Sequence, residues 1–574
     1  MLKSLEIFVE TPNKVDFSLY AKLMFEGKIN AALKMLQEDS DNGVHELTPE
    51  ILAKLKEKHP EAAMIKENTL LFGPIEYLAP SYFDEIDEVM VMKAAQRTKG
   101  AGGPSHVDAT QFSHILTSAK YKKENKELRE QISILARKLA TELIDPKALE
   151  CFVSCRLIPL NKNPGVRPIG IGEVLRRVIG KTIGWVLKSD IQEAAGPLQA
   201  VTGLRGGAEA SIHAMKSIFE QEDTQGVILV DATNAFNSLN RMVALHNIQI
   251  VCPNFATVLI NTYRQPSSMI VFGADELFSS EGTTQGDNLA MSFYALGITP
   301  FLNNVKTMCP NTSHISLADD ITGAGTLKNL RQWWDCIVGE GKKFGYYVNE
   351  GKSYLILKDE ALYEHAKSIF QGSNIKITTE GHRHLGAVIG NENFRQSYVK
   401  AKVSEWSYEL TQLTEYAKSQ PQAAFSAFIH GEIHRFTYFM RTIPEMQIYL
   451  TELDNIITEK FIPTLFEAII SEQDRKLYSL PIRFGGLGLP ILTEIAMDHY
   501  ETSLTMTSSL AAIMVSQGNH LPDSKQDHET FLTVQRSREA NLKLKSETIE
   551  NELNGTTFRA VQETKNKGAF SWLS

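Results

Sequence analysis

The sequence predicts an α+β chain of several units, on three observations. From Arg156 to about Gly390, short β-rich runs (RLIPL, GVILVD, SMIVF, HISLADDI, SYLILK) alternate with helical segments. After Phe394 the apolar spacing becomes predominantly helical, broken by LPIRFGGLGLP at Leu480 to Pro490. The length, 574 residues, exceeds one ordinary core and suggests roughly three or four units.

Taken in order, residues 1 to about 90 mix short amphipathic helical patterns with acidic runs such as EDSDNGVHE and DEIDEVM, and read as an extension without recognisable chemistry. The opening MLKSLEIFVETPNK has no charged stretch leading into an apolar one, so no secretory signal is expected. The chain is therefore predicted to stay intracellular, cytoplasmic or nuclear, and not to be secreted. RTKGAGGPSHVD (Arg97 to Asp108) is a glycine-rich break that opens the main domain, and a polar helical pattern follows from about Tyr121 to Leu143. From about Gln517 the chain turns polar and reads as a weakly packed helical tail or linker. Its apolar ending, AFSWLS, fits a fold that continues as part of a larger polyprotein.

Composition narrows the function classes. With 43% hydrophobic and 22% charged residues and no apolar run near the ~18 residues of a bilayer crossing, no membrane partner is expected. Five scattered cysteines (Cys151, Cys155, Cys252, Cys309, Cys336) lack zinc-site spacing and read as buried thiols. The net charge of -9 speaks against a protein that coats nucleic acid. Locally the balance reverses: Arg156, Lys162, Arg167, Arg176, Arg177, Lys181 and Lys188 face a single acid, Glu173, so a phosphate-facing surface is expected to begin there.

The candidate chemistry lies in carboxylates. GVILVDATNAFNSLNR is an apolar β-run that delivers Asp231 at its end and continues through a turn into a helix. HISLADDITGAG has the pattern of a hairpin with Asp319 and Asp320 at its tip. Carboxylates converging from different strands suit hard cations, which prefer oxygen ligands. Two such cations about 3.5–4 Å apart favour an attacking alkoxide and neutralise a leaving pyrophosphate. Each motif alone has a plainer reading: an Asp-Asp pair is most often a solvated turn, and Asp231 at a strand-to-helix junction suits a helix cap. The two in this order are far less ambiguous.

With these residues in place, the chain resembles reverse transcriptases, the RNA-directed DNA polymerases of retrotransposon-type retroelements, over about Arg97 to Gly390. LIPLNKNPGVRPIGIGEVLRRVIGK is similar to the fingers strands of that family, which implies that Lys162 and Arg167 reach an incoming triphosphate. DATNAFN matches the first carboxylate motif and makes Phe236 the aromatic gate against a ribose 2′-hydroxyl, although its spacing alone suits core packing. TTQGDNLAMSF resembles the second palm motif, putting Gln285 and Gly286 at a glycine-assisted helix start that contacts nucleotide and template; Asn288 stands where the family usually has Pro. In LADD, Leu317 replaces the usual aromatic. FGYYVNEGKSYLILK makes Lys352 the proton donor to pyrophosphate, against a plain lysine leading an exposed strand. GHRHLGAVIG resembles the primer-grip hairpin, with His382 and His384 as surface or packing residues.

The resemblance implies a right-hand polymerase fold. Its parts are a mostly helical N-terminal extension over 1–90, fingers over 91–225, a palm with an antiparallel sheet and the catalytic motifs over 226–392, interleaved with the fingers, a helical thumb over 393–516 and the tail 517–574. It also implies two Mg²⁺ ions, or Mn²⁺, on Asp231, Asp319 and Asp320. The expected partners are an RNA template, a DNA or RNA primer and deoxynucleoside triphosphates. Beside Arg435 and Arg441, thumb aromatics suit either a duplex backbone or, with more weight, ordinary helix packing. Two alternatives share these motifs: an RNA-dependent RNA polymerase, which Phe236 opposes, and a catalytically silent scaffold, which the three intact carboxylates oppose. No endonuclease, integrase or RNase H constellation is evident.

Overall fold

The computed structural model describes residues 17–37, 43–76, 79–162, 165–200 and 203–567. The stretch read for a secretory signal, part of EDSDNGVHE and the terminal AFSWLS lie outside the described residues. The chain is α+β. Its strands are β1 (Cys155–Asn161), β2 (Val166–Gly172), β3 (Gly226–Val230), β4 (Ser267–Ile270), β5 (Leu277–Ser279), β6 (Ser313–Leu317), β7 (Asp320–Gly325), β8 (Tyr354–Leu357), β9 (Lys376–Thr378), β10 (Gly381–His384) and β11 (Ala387–Gly390). They form a five-stranded sheet in the order β6-β7-β3-β8-β9, a four-stranded sheet in the order β2-β1-β4-β5, and the hairpin β10-β11. Pairing is antiparallel except between β8 and β9 and between β1 and β4.

The five-stranded sheet is covered on both faces, which explains why β3 reads as a continuous apolar run rather than an alternating one. Ile228, Val230, Ile321, Leu355 and Leu357 face the main core with Trp333, Trp334 and Phe301, side chains of the helices Leu327–Phe344 and Ala290–Met308. Val227, Ala324, Ile315 and Ile356 face a smaller core with Ala210 and Met215 of the helix Gly207–Glu220 and Met514 of the helix Leu492–Val515. Each such aliphatic side chain contributes roughly 1.5–3 kcal/mol by leaving water. Packing is close enough that a Cβ on Gly323 would lie 2.8 Å from Trp333.

A third core lies in the helical region beyond the sheet, around Trp406, Phe428, Phe436 and Phe461. The N-terminal extension is divided among these cores. Tyr20, Leu33 and Leu36 join the helical lobe, Leu55 joins the four-stranded sheet, and Phe83 and Ile86 join the main core. The tail is two helices, Ser524–Glu552 and Gly555–Lys567, held mainly through Ile549 and Val561 against Leu477 and Leu480. The cysteine reading needs correction. Cys155, Cys252 and Cys309 are buried, but Cys151 is exposed and Cys336 half-buried. Cys151 lies on the outer face of the helix Pro146–Val153, whose Leu149 and Val153 point inward. Among the described residues no helix is long and apolar enough to cross a membrane.

Candidate functional site

The register of the central sheet brings the three carboxylates together. Val230 at the end of β3 pairs with Ile321 of β7, and the β6–β7 hairpin closes on Leu317 opposite Asp320. Asp231 therefore leaves β3 beside Asp320, while Asp319 occupies the turn. The backbone of Asp231 is pinned by the segment that precedes β8. Its N–H donates to Ser353 Oγ (3.1 Å), and its carbonyl accepts from Asn349 N–H (2.7 Å). Asp231 caps no helix, because Asn234 holds the cap position of the short helix Ala235–Ser238.

The hairpin turn is strained and clamped. Ala318 has φ +57°, a left-handed conformation that costs a β-carbon residue roughly 1–2 kcal/mol. The buried amide of Gln199 holds it from both sides, accepting from Ala318 N–H (2.8 Å) and donating to Ala318 carbonyl (3.3 Å). Tyr346 adds a hydrogen bond from its hydroxyl to the Asp319 carbonyl (2.8 Å). Asp319 and Asp320 thus sit on a turn whose shape is imposed by residues distant in sequence.

All three carboxyls hold their protons more tightly than usual, chiefly through desolvation. For Asp320 the repulsion of Asp319 and Asp231 adds to this and pushes it up to about 6, with Arg383 opposing the rise. Asp319 is raised by burial and by Asp231, against Lys162 and Arg167. Burial also raises Asp231, against Lys352, Lys162 and a hydrogen bond from the Asn349 side chain. The Asp320 carboxylate itself is solvent-exposed, so its surroundings are a concave, low-dielectric wall rather than a sealed interior.

Two cavities meet at this cluster. A cavity of about 410 Å³ is lined by Asp319 together with Lys162, Arg167, Phe236, Gln285, Gly286, Asn234 and Lys58. A larger one of about 990 Å³ is lined by Asp231, Asp320, Lys352, Arg383, Leu385, Gly386, Tyr398 and Tyr438. Phe236 is half-buried and stacks on the buried Tyr294 with ring centroids 4.6 Å apart, so it is both core and cavity wall. Gln285 and Gly286 lie in a turn that precedes the helix Ala290–Met308, not at its first residues. That turn is pressed against β2: Gly170 N–H donates to Gln285 carbonyl (2.8 Å), and a Cβ on Gly286 would lie 2.5 Å from the Gly170 carbonyl oxygen. Lys352 is exposed beside Asp231, but on the larger cavity, away from the one lined by Lys162 and Arg167. The strand it leads, β8, is an interior strand and not an exposed one.

The expectation that the basic run forms one phosphate-facing surface is corrected. Lys162 and Arg167 are exposed at the smaller cavity, whereas Arg176 and Arg177 are buried. Arg176 pairs with Asp287 at 2.5 Å, and Tyr263 hydroxyl donates to the same carboxylate at 2.6 Å. Arg177, Lys181 and Arg156 donate to carbonyls of the glycine-rich break, at Lys99 and Ala101, Arg97, and Gly102 respectively. The glycine-rich loop is thus held through its carbonyls by two guanidinium groups and one ammonium of the basic run. Asn288 likewise serves structure, donating to Arg177 carbonyl (2.6 Å).

In the helical lobe Arg435 is paired with the buried Glu409 and Glu432, and Arg441 with Glu209 at 2.6 Å. Phe436 and Met440 are buried. These side chains pack the lobe. His382 stacks on Tyr354 at 3.7 Å and His384 is buried near Thr322, consistent with packing roles. Leu385 and Gly386 both have positive φ, the two-residue turn that matches strand twist in hairpins. Sequence reading missed Gln199, Tyr346 and Arg383. Only Arg383, a cation in HRHLG, carries a signal; the other two act through a register that one sequence does not reveal.

The donor set is all carboxylate and suits a hard divalent cation, although among the described residues no group of three His, Cys, Asp or Glu side chains is arranged to hold an ion. Mg²⁺ commonly binds through one or two carboxylates, with substrate phosphates and water completing its shell. Comparison with known protein families and with curated proteins finds no match for this chain.

Proposed function

We propose that the protein is an RNA-directed DNA polymerase, a reverse transcriptase of retroelement type, which adds deoxynucleotides to a primer 3′-hydroxyl. One observation carries the reading: Asp231, Asp319 and Asp320 meet at the junction of two cavities, and the smaller holds Lys162, Arg167, Phe236, Gln285 and Gly286 around Asp319. Residues that the family motifs assign to one nucleotide come from three separated stretches of chain. On this reading the five-stranded sheet is the palm, the four-stranded sheet belongs to the fingers, and the helical lobe is the thumb of a right-hand polymerase.

The division of labour follows from the geometry. Lys162 and Arg167, exposed cations on one wall, bind the triphosphate; the stacked ring of Phe236 closes the space that a 2′-hydroxyl needs. Asp231, Asp319 and Asp320 would hold the Mg²⁺ ions, which when bound would supply charge stabilisation to the attacking 3′-oxygen and the leaving pyrophosphate. Asp231 and Asp320 also face the larger cavity, where the primer end would lie beside Arg383 and the Leu385–Gly386 turn. Lys352, on that side, opposes the rise that burial causes in the proton affinity of Asp231. Its position favours that electrostatic part over direct protonation of pyrophosphate.

Primer extension on a defined RNA template with Mg²⁺ tests the reading. Extension with deoxynucleotides and not ribonucleotides, abolished in Asp319→Asn plus Asp320→Asn, is the expected result. Equal use of ribonucleotides would overturn the gate assignment and favour an RNA polymerase. A folded, RNA-binding protein that extends no primer would favour a silent scaffold.

A further inference from the structure

The smaller cavity has a third cation that none of the family motifs supplies: Lys58, which ends the helix Pro49–Glu57 of the N-terminal extension. Its placement is fixed by the residues that build the site. Asn234, three residues beyond Asp231 and itself left-handed at φ +54°, donates its side-chain N–H to Lys58 carbonyl (2.9 Å). Five residues on, Ala63 N–H donates to the buried Glu281 carboxylate (2.6 Å), whose other oxygen accepts from Arg241 N–H (2.7 Å). Glu281 lies just before the Gln285–Gly286 turn. Farther along, the buried Asn247 accepts from Leu71 N–H and donates to Thr69 carbonyl, both at 2.8 Å. Residues 58–71 are thus a strap fastened to Asn234 beside the cavity, to Glu281 and to the helix Arg241–Val251.

We propose that Lys58 is a nucleotide-binding residue, its ammonium contacting the phosphates of the incoming deoxynucleoside triphosphate alongside Lys162 and Arg167. The inference rests on the polymerase reading. Among the described residues Lys58 makes no ion pair, so its charge is free for a ligand, while its backbone is fastened in advance of binding. A cavity of about 410 Å³ is within the range that takes a small ligand. A third cation lining the same cavity adds a charge-assisted contact to a phosphate oxygen. The extension would then be a working part of the site.

The test is calorimetric titration of magnesium-dATP into the full chain carrying a dideoxy-terminated primer on an RNA template, alongside extension of a normal primer. Lys58→Ala is expected to weaken nucleotide binding about tenfold and to raise KM similarly with little change in kcat. Lys58→Arg should restore binding to within about threefold. Lys56→Ala, an exposed control on the same helix, should leave both unchanged. An unchanged melting temperature of Lys58→Ala would separate lost contact from lost fold. Equal nucleotide affinity in Lys58→Ala and wild type, with wild-type extension intact, would overturn the inference and leave the polymerase reading standing. Wild type that binds nucleotide but never extends would overturn the polymerase reading, and the binding ratio would still decide Lys58.

Discussion

The carboxylate cluster and the arginine clusters of this protein treat charge in opposite ways. Asp231, Asp319 and Asp320 stand together at strand ends with no ion pair among the described residues, and each is raised in proton affinity. Arg176, Arg435 and Arg441 are each matched to a carboxylate, and Arg177 to backbone carbonyls. Matched charges in a folded interior do structural work, since removing one partner leaves the other buried and alone. Unmatched like charges destabilise the fold, and their persistence is best explained by a ligand. Charge as such did not separate the two groups; partnership did.

The comparison breaks most visibly at Arg176. Arg176→Ala leaves Asp287 buried with only Tyr263 and nearby backbone as partners, at an expected cost of about 3–5 kcal/mol. A large fall in melting temperature is predicted, and an unchanged one would show the pair to be dispensable. Next comes Gln199→Ala, which removes both hydrogen bonds that hold Ala318 left-handed. A loss of about 1–3 kcal/mol is expected, together with reduced primer extension, although Gln199 lines neither cavity. Full activity in a destabilised variant would mean that the turn does not need its clamp.

The smallest effect has the opposite sign. Asp320 is raised from 3.8 to about 6, so the stability it contributes is fully present below its unfolded value and is lost as pH rises through about 6. Asp320→Asn removes that loss. The variant should be more stable than wild type at pH 7 without divalent ions, by on the order of 1 kcal/mol once solvent screening is counted. Below about pH 4 the two should converge. Melting curves from pH 4 to 7 read the difference, and parallel curves would remove the electrostatic interpretation.

What could be read from sequence divides along physical lines. Strands with their own apolar signature were visible: GVILV, RLIPL, HISL and SYLIL coincide with β3, β1, β6 and β8 within a residue or two. The α+β class followed from them. Asp231, Asp319 and Asp320 stood out because each terminates or interrupts such a run. The fate of the basic run did not, because whether an arginine reaches solvent or a carbonyl depends on what packs over it. Arg176 and Lys162 are alike in sequence and opposite in burial. Gln199 and the strap at residues 58–71 were hidden for the same reason, as their partners lie more than a hundred residues away.

Cations at the carboxylate cluster can be counted directly. Mn²⁺ binding can be followed by electron paramagnetic resonance with a dideoxy-terminated primer, an RNA template and the matching deoxynucleotide present. Wild type is predicted to take up two protein-dependent ions, and Asp319→Asn plus Asp320→Asn to lose them while keeping its fold. Equal uptake by the folded double variant would contradict the account, because the unmatched carboxylates would then need another explanation.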